Sequence, residues 1–169
     1  LEDTANPKVE AWNQAQSAYS RAYLDGLAVR EPLKARLTTL IKASSPEYRA
    51  LMSAGAIVFA IYNDPQFQQP MLVTLASDVN PASRKVVLDP NVLDASGLTA
   101  IDWYKPSHDG KLVAVSLSKA GSEVGTLHVY DTVSGKESGE TIPRVQYPTA
   151  GGSLAWSGDG KGFWYTRYP

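Results

Sequence analysis

Ser107-His108-Asp109-Gly110-Lys111, followed by the apolar run Leu112–Leu117, returns as Ser157-Gly158-Asp159-Gly160-Lys161, followed by Gly162–Thr166, at an offset of 50 residues. An aromatic segment precedes each copy, Trp103-Tyr104 in one and Trp156 in the other. Each copy therefore reads as a strand, a tight Asp-Gly turn and a second strand, because these turn residues tolerate the positive φ that a tight reversal needs. A fainter repeat aligns Met71–Leu75 with Thr126–Tyr130 at an offset of 55. Periods of roughly 40 to 50 residues with four short strands per unit are the mark of β-propeller blades. A β-sandwich with two similar hairpins is the alternative, but sandwiches rarely repeat a pentapeptide in register.

Short runs of Val, Ile, Leu and aromatics punctuated by Gly, Asp, Asn, Ser and Pro continue this pattern from Met52 onward. The strands expected are Ala56–Tyr62, Met71–Leu75, Val86–Leu88, Leu112–Leu117, Leu127–Tyr130 and Gly162–Thr166. Blade one then runs from Met52 to Asn91, blade two from Leu98 to Val145, and blade three begins at Leu154. That is less than half of a ring, and a blade leaves its faces open until a neighbour covers them. The chain also lacks an initiator Met and stops just after a dense aromatic run. Together these features give the expectation of a piece of a larger protein, in which a targeting segment could have preceded Leu1.

The first part of the chain has a different period. Asn6 is an N-cap candidate with Pro7 at the first helical position, where a missing N–H costs nothing. Val9, Trp12, Tyr19, Tyr23 and Leu27 line one helical face, and Glu31-Pro32 starts a second helix with Leu33, Leu37, Leu40 and Ile41 on its apolar side. Ser44-Ser45-Pro46 ends it. The expected organisation is a helical arm over residues 1–50 and a partial propeller over residues 51–169. Such an arm is too small to bury both faces by itself and must pack on something else.

The 169 residues carry 16 Lys+Arg against 17 Asp+Glu, 43% hydrophobic residues, two His and no Cys. A net charge of -1 provides no basic surface for nucleic acid or an anionic membrane. Without Cys there is no disulfide framework or thiol nucleophile, and two His cannot form a three-His metal site. No cofactor is expected. The longest apolar stretch, Ala54–Tyr62, is far shorter than the roughly 20 residues of a membrane helix. A soluble protein is expected, with cytoplasm or periplasm left open.

No motif supplies catalysis. Gly151-Gly152-Ser153-Leu154-Ala155 approximates a nucleophile elbow, but the elbow needs a helix after its serine, and Trp156 with an Asp-Gly-Lys turn follows instead. The dipeptides Gly110-Lys111, Gly135-Lys136 and Gly160-Lys161 lack the earlier Gly and the following Ser or Thr of a phosphate loop. His108 falls in a turn and His128 in a strand, without a second metal ligand at useful spacing. Asp102 and Glu123 read as isolated carboxylates, and Phe163-Trp164-Tyr165 as blade core.

Beyond this point the strings themselves resemble a family. Leu1-Glu2-Asp3 is similar to the end of a W-L-E-D opening. Val87-Leu88-Asp89-Pro90-Asn91-Val92-Leu93 resembles F-L-D-P-N-x-L, and Ser116-Leu117-Ser118-Lys119-Ala120-Gly121-Ser122-Glu123 resembles S-x-S-x-x-G-S-[DE]. Ala155–Tyr165 resembles A-W-x-x-D-G-K-G-x-x-Y. In this order and spacing the strings resemble those of the N-terminal portion of the prolyl oligopeptidase family of serine peptidases.

The resemblance implies a mainly β fold with an N-terminal helical arm: the first blades of a seven-bladed propeller whose parent also carries an α/β-hydrolase domain. It implies that the arm packs on that hydrolase portion, and that the Ser, Asp and His triad lies outside these 169 residues. It also implies that the propeller gates access for short peptide substrates, cut after proline. Glu123 corresponds to the acidic residue of the G-S-[DE] segment, which in the family faces the hydrolase domain near the active site. Tyr147 corresponds to the aromatic of an R-V-x-aromatic string that borders the substrate cavity. Pro148–Gly152 lengthens the link to Trp156, and Asn63–Pro70 departs from the N-x-G-x-x-x-Q form. A non-catalytic propeller binding module, or a macrocyclase of the same family, are the alternative readings.

Overall fold

Asn6 does cap a helix: its side chain accepts from the Lys8 N–H at 3.0 Å, with Pro7 at the first position of α1 (Pro7–Asp25). A second helix, α2 (Arg30–Lys42), follows, with Pro32 in its first turn, where no N–H is needed. The computed structural model describes residues 3, 5–76, 79–139, 141–146 and 151–169. It divides the chain into Leu1–Ser44 and Ser45–Pro169. In the helical unit neither helix buries a residue. The expected apolar stripes are present but open, with Tyr19 74% and Ile41 61% exposed, except that α1 ends at Asp25 with Gly26 as its cap and so leaves Leu27 beyond the helix.

The second unit is built from antiparallel meanders. Sheet one takes β1 (Glu47–Ala54), β2 (Ile57–Asn63), β3 (Met71–Ala76) and β4 (Lys85–Leu88) in sequence order. Sheet two takes β5 (Thr99–Pro106), β6 (Leu112–Lys119), β7 (Thr126–Asp131) and β8 (Ile142–Pro143) in the same order. Then β9 (Ser153–Trp156) pairs with β10 (Phe163–Thr166). Two four-stranded sheets and a hairpin in register with them are blades one, two and the opening of three.

The six strands named from their apolar runs are all present, the strands read at Trp103-Tyr104 and Trp156 ahead of the two turns are β5 and β9, and β1 and β8 join them. The sequence obscures β1, and the start of β5, for one reason. Each carries a bulge, between Arg49 and Met52 and between Ile101 and Trp103. An extra residue shifts the two-residue alternation by which a strand is recognised. Between the sheets, Asp89 caps the short helix α3 (Pro90–Leu93) by accepting from the Asn91 N–H at 2.9 Å.

Alternation along β6 decides which side of blade two each side chain serves. Val113, Val115 and Leu117 join Phe59, Leu72 and Leu88 in a core between blades one and two. Ala114, of opposite parity, lies with Leu127, Val145, Leu154 and Trp156 in a core between blades two and three. Large residues thus face blade one, while the small Ala114, Ser116 and Ser118 face blade three.

The repeated pentapeptide makes the same turn twice. Ser107 Oγ donates to Asp109 Oδ1 at 2.9 Å, and Asp109 Oδ1 also accepts from the Lys111 N–H at 3.1 Å. Ser157, Asp159 and Lys161 repeat these bonds at 2.7 and 3.1 Å. Phe163 packs edge-on to Trp156 at 5.2 Å, as expected of core, but Trp164 is 78% exposed. On the outer side of β10 that residue has no strand or blade against it among the described residues, so the aromatic run is core on one face only.

Candidate functional site

In an antiparallel meander the start of each first strand and the end of each second strand share one rim. Here that rim gathers the β2–β3 loop, the β4–β5 connection, the β6–β7 loop and the segment before β9. Two reciprocal hydrogen bonds tie the first two together. The Gln69 N–H donates to Asn91 Oδ1 at 2.9 Å and Asn91 Nδ2 donates to Gln69 O at 2.9 Å, with Gln69 Nε2 reaching Gly97 O at 2.7 Å. The Asp-Pro-Asn string is therefore a clamp between loops.

Glu123 stands in the β6–β7 loop, exposed, on backbone that turns sharply: φ is 53° at Ala120, 68° at Gly121 and 57° at Glu123. The Ala120 N–H donates to Leu98 O at 2.9 Å, fastening this loop to the β4–β5 connection. Among the described residues the ion pairs join Asp25 to Arg30, Asp109 to Lys111 and Glu137 to His128, so none engages Glu123. Its carboxylate is presented at the rim. Tyr147, the other expected cavity residue, lies outside the described residues. The backbone leading to it is held at Val145, whose N–H donates to Gly125 O at 3.0 Å. At Gln146, the carbonyl accepts from Trp103 Nε1 at 2.8 Å.

Asp102 is not the isolated carboxylate the sequence suggests. It is the bulge residue of β5, and its oxygens face Ser116 Oγ at 2.9 Å and Ser118 Oγ at 2.6 Å. The partners stand 14 and 16 residues away, a relation visible only once β5 and β6 are paired. Two cavities open along the first strands of the blades. One of about 320 Å³ lies beside Arg49, Gln69, Ile101 and Asp102, near the rim. Another of about 520 Å³ lies at the turn end, beside Met52, Lys105, His108 and Trp156.

Nothing among the described residues forms a reacting constellation. His128 Nδ1 meets Glu137 Oε1 at 2.8 Å, and His108 Nε2 lies 3.4 Å from Trp156 O. No cluster of three or more His, Cys, Asp or Glu side chains is placed to hold a metal among the described residues. Ser153 sits on a strand with its hydroxyl shared with Thr166 at 2.8 Å, which is not the exposed serine of an elbow. No helix of the described residues is long and apolar enough to cross a membrane.

Burial and hydrogen bonding shift several ordinary groups. Hydrogen bonds from Ser96 and Thr99 hold the Asp94 carboxyl down at about 2. The Lys111 N–H and Ser107 hydroxyl hold Asp109 at about 2. Burial raises Tyr130 to about 12 and raises Tyr104 further. All four are turn or core groups, shifted by structural contacts.

The model of the prolyl oligopeptidase N-terminal β-propeller domain matches residues 1–169. A dual function macrocyclase-peptidase of Amanita bisporigera is 29% identical over 186 residues, covering 100% of this chain and 25% of that protein. A prolyl endopeptidase of Elizabethkingia meningoseptica is 28% identical over 171 residues, covering 99% of this chain and 22% of its own length. A solved prolyl endopeptidase structure superposes with a TM-score of 0.87 at 27% identity, over 99% of this chain and 24% of that one. The chain thus spans about a quarter of the length of the relatives it matches. With two four-stranded blades, the start of a third and a helical arm aligned throughout, this chain belongs to the prolyl oligopeptidase family, as its N-terminal β-propeller portion.

Proposed function

We propose that this chain is the arm and substrate-gating part of a serine-type oligopeptidase that hydrolyses short peptides after proline. The observation that carries this is the fold: the chain superposes on a solved prolyl endopeptidase at a TM-score of 0.87 over 99% of its length. Acyl transfer would use a serine nucleophile, a histidine base and an orienting carboxylate supplied by the hydrolase portion of the parent protein. The contribution of these residues is to border the site: Glu123 faces the peptide from the rim, Tyr147 is the aromatic that the family resemblance assigns to the substrate cavity, and the rest of the blades limit what can enter. The stripes of α1 and α2 meet the hydrolase portion, which accounts for two helices with no buried residue.

A second reading is favoured by one relative, the macrocyclase-peptidase at 29% identity. Hydrolysis and macrocyclisation share the acyl-enzyme and differ in whether water or the peptide's own amine takes the acyl group. The full-length parent, incubated with a proline-containing peptide of about ten residues and analysed by mass spectrometry, separates them. Fragments whose masses sum to the peptide plus one water support hydrolysis; a cyclic product formed without net uptake of water supports cyclisation. Intact peptide would refute both.

A further inference from the structure

Ser116 Oγ lies 2.9 Å from Asp102 Oδ2 and 2.8 Å from Val145 O, while Ser118 Oγ lies 2.6 Å from Asp102 Oδ1. Two hydroxyl protons therefore serve three acceptors, and Ser116 is fully buried. This cluster touches both segments that lead to the rim. Val145 and Gln146 are held by Ser116 and Trp103. Gly125, two residues after Glu123, presses so close that a Cβ there would strike Ser116 Oγ and stand 2.8 Å from Asp102 Oδ2. The S-x-S string follows from this geometry. Alternation on β6 puts both hydroxyls on the blade-three face, where the β5 bulge delivers the carboxylate.

We infer that Asp102, acting through Ser116 and Ser118, is a positioning residue for peptide binding: it sets where Gly125 and Val145 sit, and with them Glu123. This rests on the reading of the rim as peptide-facing. The proton count gives it a distinctive signature. In Asp102→Asn, Oδ1 still accepts from Ser118, and the amide donates to Ser116 Oγ, which leaves the Ser116 proton for Val145 O. Asparagine preserves every contact of the cluster, whereas alanine removes both contacts of the carboxylate, including the one that faces Gly125, and leaves only Ser116 Oγ donating to Val145 O.

The test uses the full-length parent, a proline-containing decapeptide and a short chromogenic substrate ending in proline. Asp102→Ala and Ser118→Ala raise KM for the decapeptide about fivefold with little change in kcat, the worth of about one hydrogen bond at the binding step. The long-to-short ratio of kcat/KM falls by the same factor, while Asp102→Asn and Ser118→Thr restore it. A merely structural role would lower both substrates in parallel and leave the ratio unmoved, which overturns the inference, as does Asp102→Asn behaving like Asp102→Ala. Hydrogen exchange at the Val145 amide is read in the same variants: faster exchange only in the alanine forms supports the cluster, and unchanged exchange overturns it whatever the assay shows. A wild-type protein that cleaves neither substrate refutes the peptidase reading, and the positioning role with it.

Discussion

At Gly55 and Gly110 the backbones of two blades touch. A Cβ on Gly110 would lie 2.7 Å from Ala54 O, and one on Gly55 2.6 Å from Asp109 O, with φ of 71° and 58°. The Gly55 N–H also donates to His108 O at 3.2 Å. Both reasons for glycine, the left-handed backbone and the close approach, apply at once. Gly110→Ala is expected to destabilise the parent protein by about 2 kcal/mol or more, read by denaturant unfolding; an unchanged midpoint would show that the two turns do not interlock. Asp109 in the same turn has its pKa lowered to about 2 by the Lys111 N–H and Ser107. A lowered carboxyl stabilises the folded state above its unfolded pKa of about 3.9, and this contribution is lost as pH falls toward 2. Asp109→Asn therefore loses stability at neutral pH, and its difference from wild type shrinks as pH falls from about 4 to about 2. A difference independent of pH would contradict that. The Asp-Gly-Lys repeat was readable because all its bonds are local. Asp102 was not, since its partners come from a neighbouring strand across a bulge.

Among the elements, the first strands of successive blades are joined by aromatic donors. The Tyr104 hydroxyl on β5 donates to Ala50 O on β1, and Trp156 Nε1 on β9 donates to Lys105 O on β5 at 3.0 Å. Each blade thereby satisfies a bulged or terminal carbonyl of the one before it. Trp156→Phe keeps most of the apolar burial and removes the donor, so a loss of about 1 kcal/mol is expected; no loss would mean that water replaces the indole. The helices make the opposite case. Their periodic stripes were legible in full, but periodicity does not say what covers a stripe. If the hydrolase portion covers it, Leu37→Asp in the parent protein should cost about 2 to 3 kcal/mol, as burial of a leucine is worth. A melting temperature unchanged from wild type would leave that stripe without a partner.

For the molecule as a whole, the repeat, the turn chemistry and the change from helical to two-residue period were enough to read a partial propeller behind a helical arm. Two strands escaped, β1 because a bulge interrupts its alternation and β8 because only Ile142-Pro143 pair. The rim was legible only through resemblance: Glu123 and the segment before β9 become neighbours by way of Gly125 and Val145, through meander pairing that no local pattern encodes. With Trp164 78% exposed and the helical stripes open, the isolated 169-residue chain should bind hydrophobic dye or self-associate. A monomer that melts cooperatively without binding dye would refute this. The central claim, that these blades gate a peptidase, is tested most directly by the length dependence of cleavage in the full-length parent. One proline-containing sequence is presented free, as a peptide of about ten residues, and embedded in a folded domain, whose bulk the blades would exclude. The account predicts cleavage after proline in the free peptide and none in the folded domain; equal cleavage of both, or of neither, would contradict it.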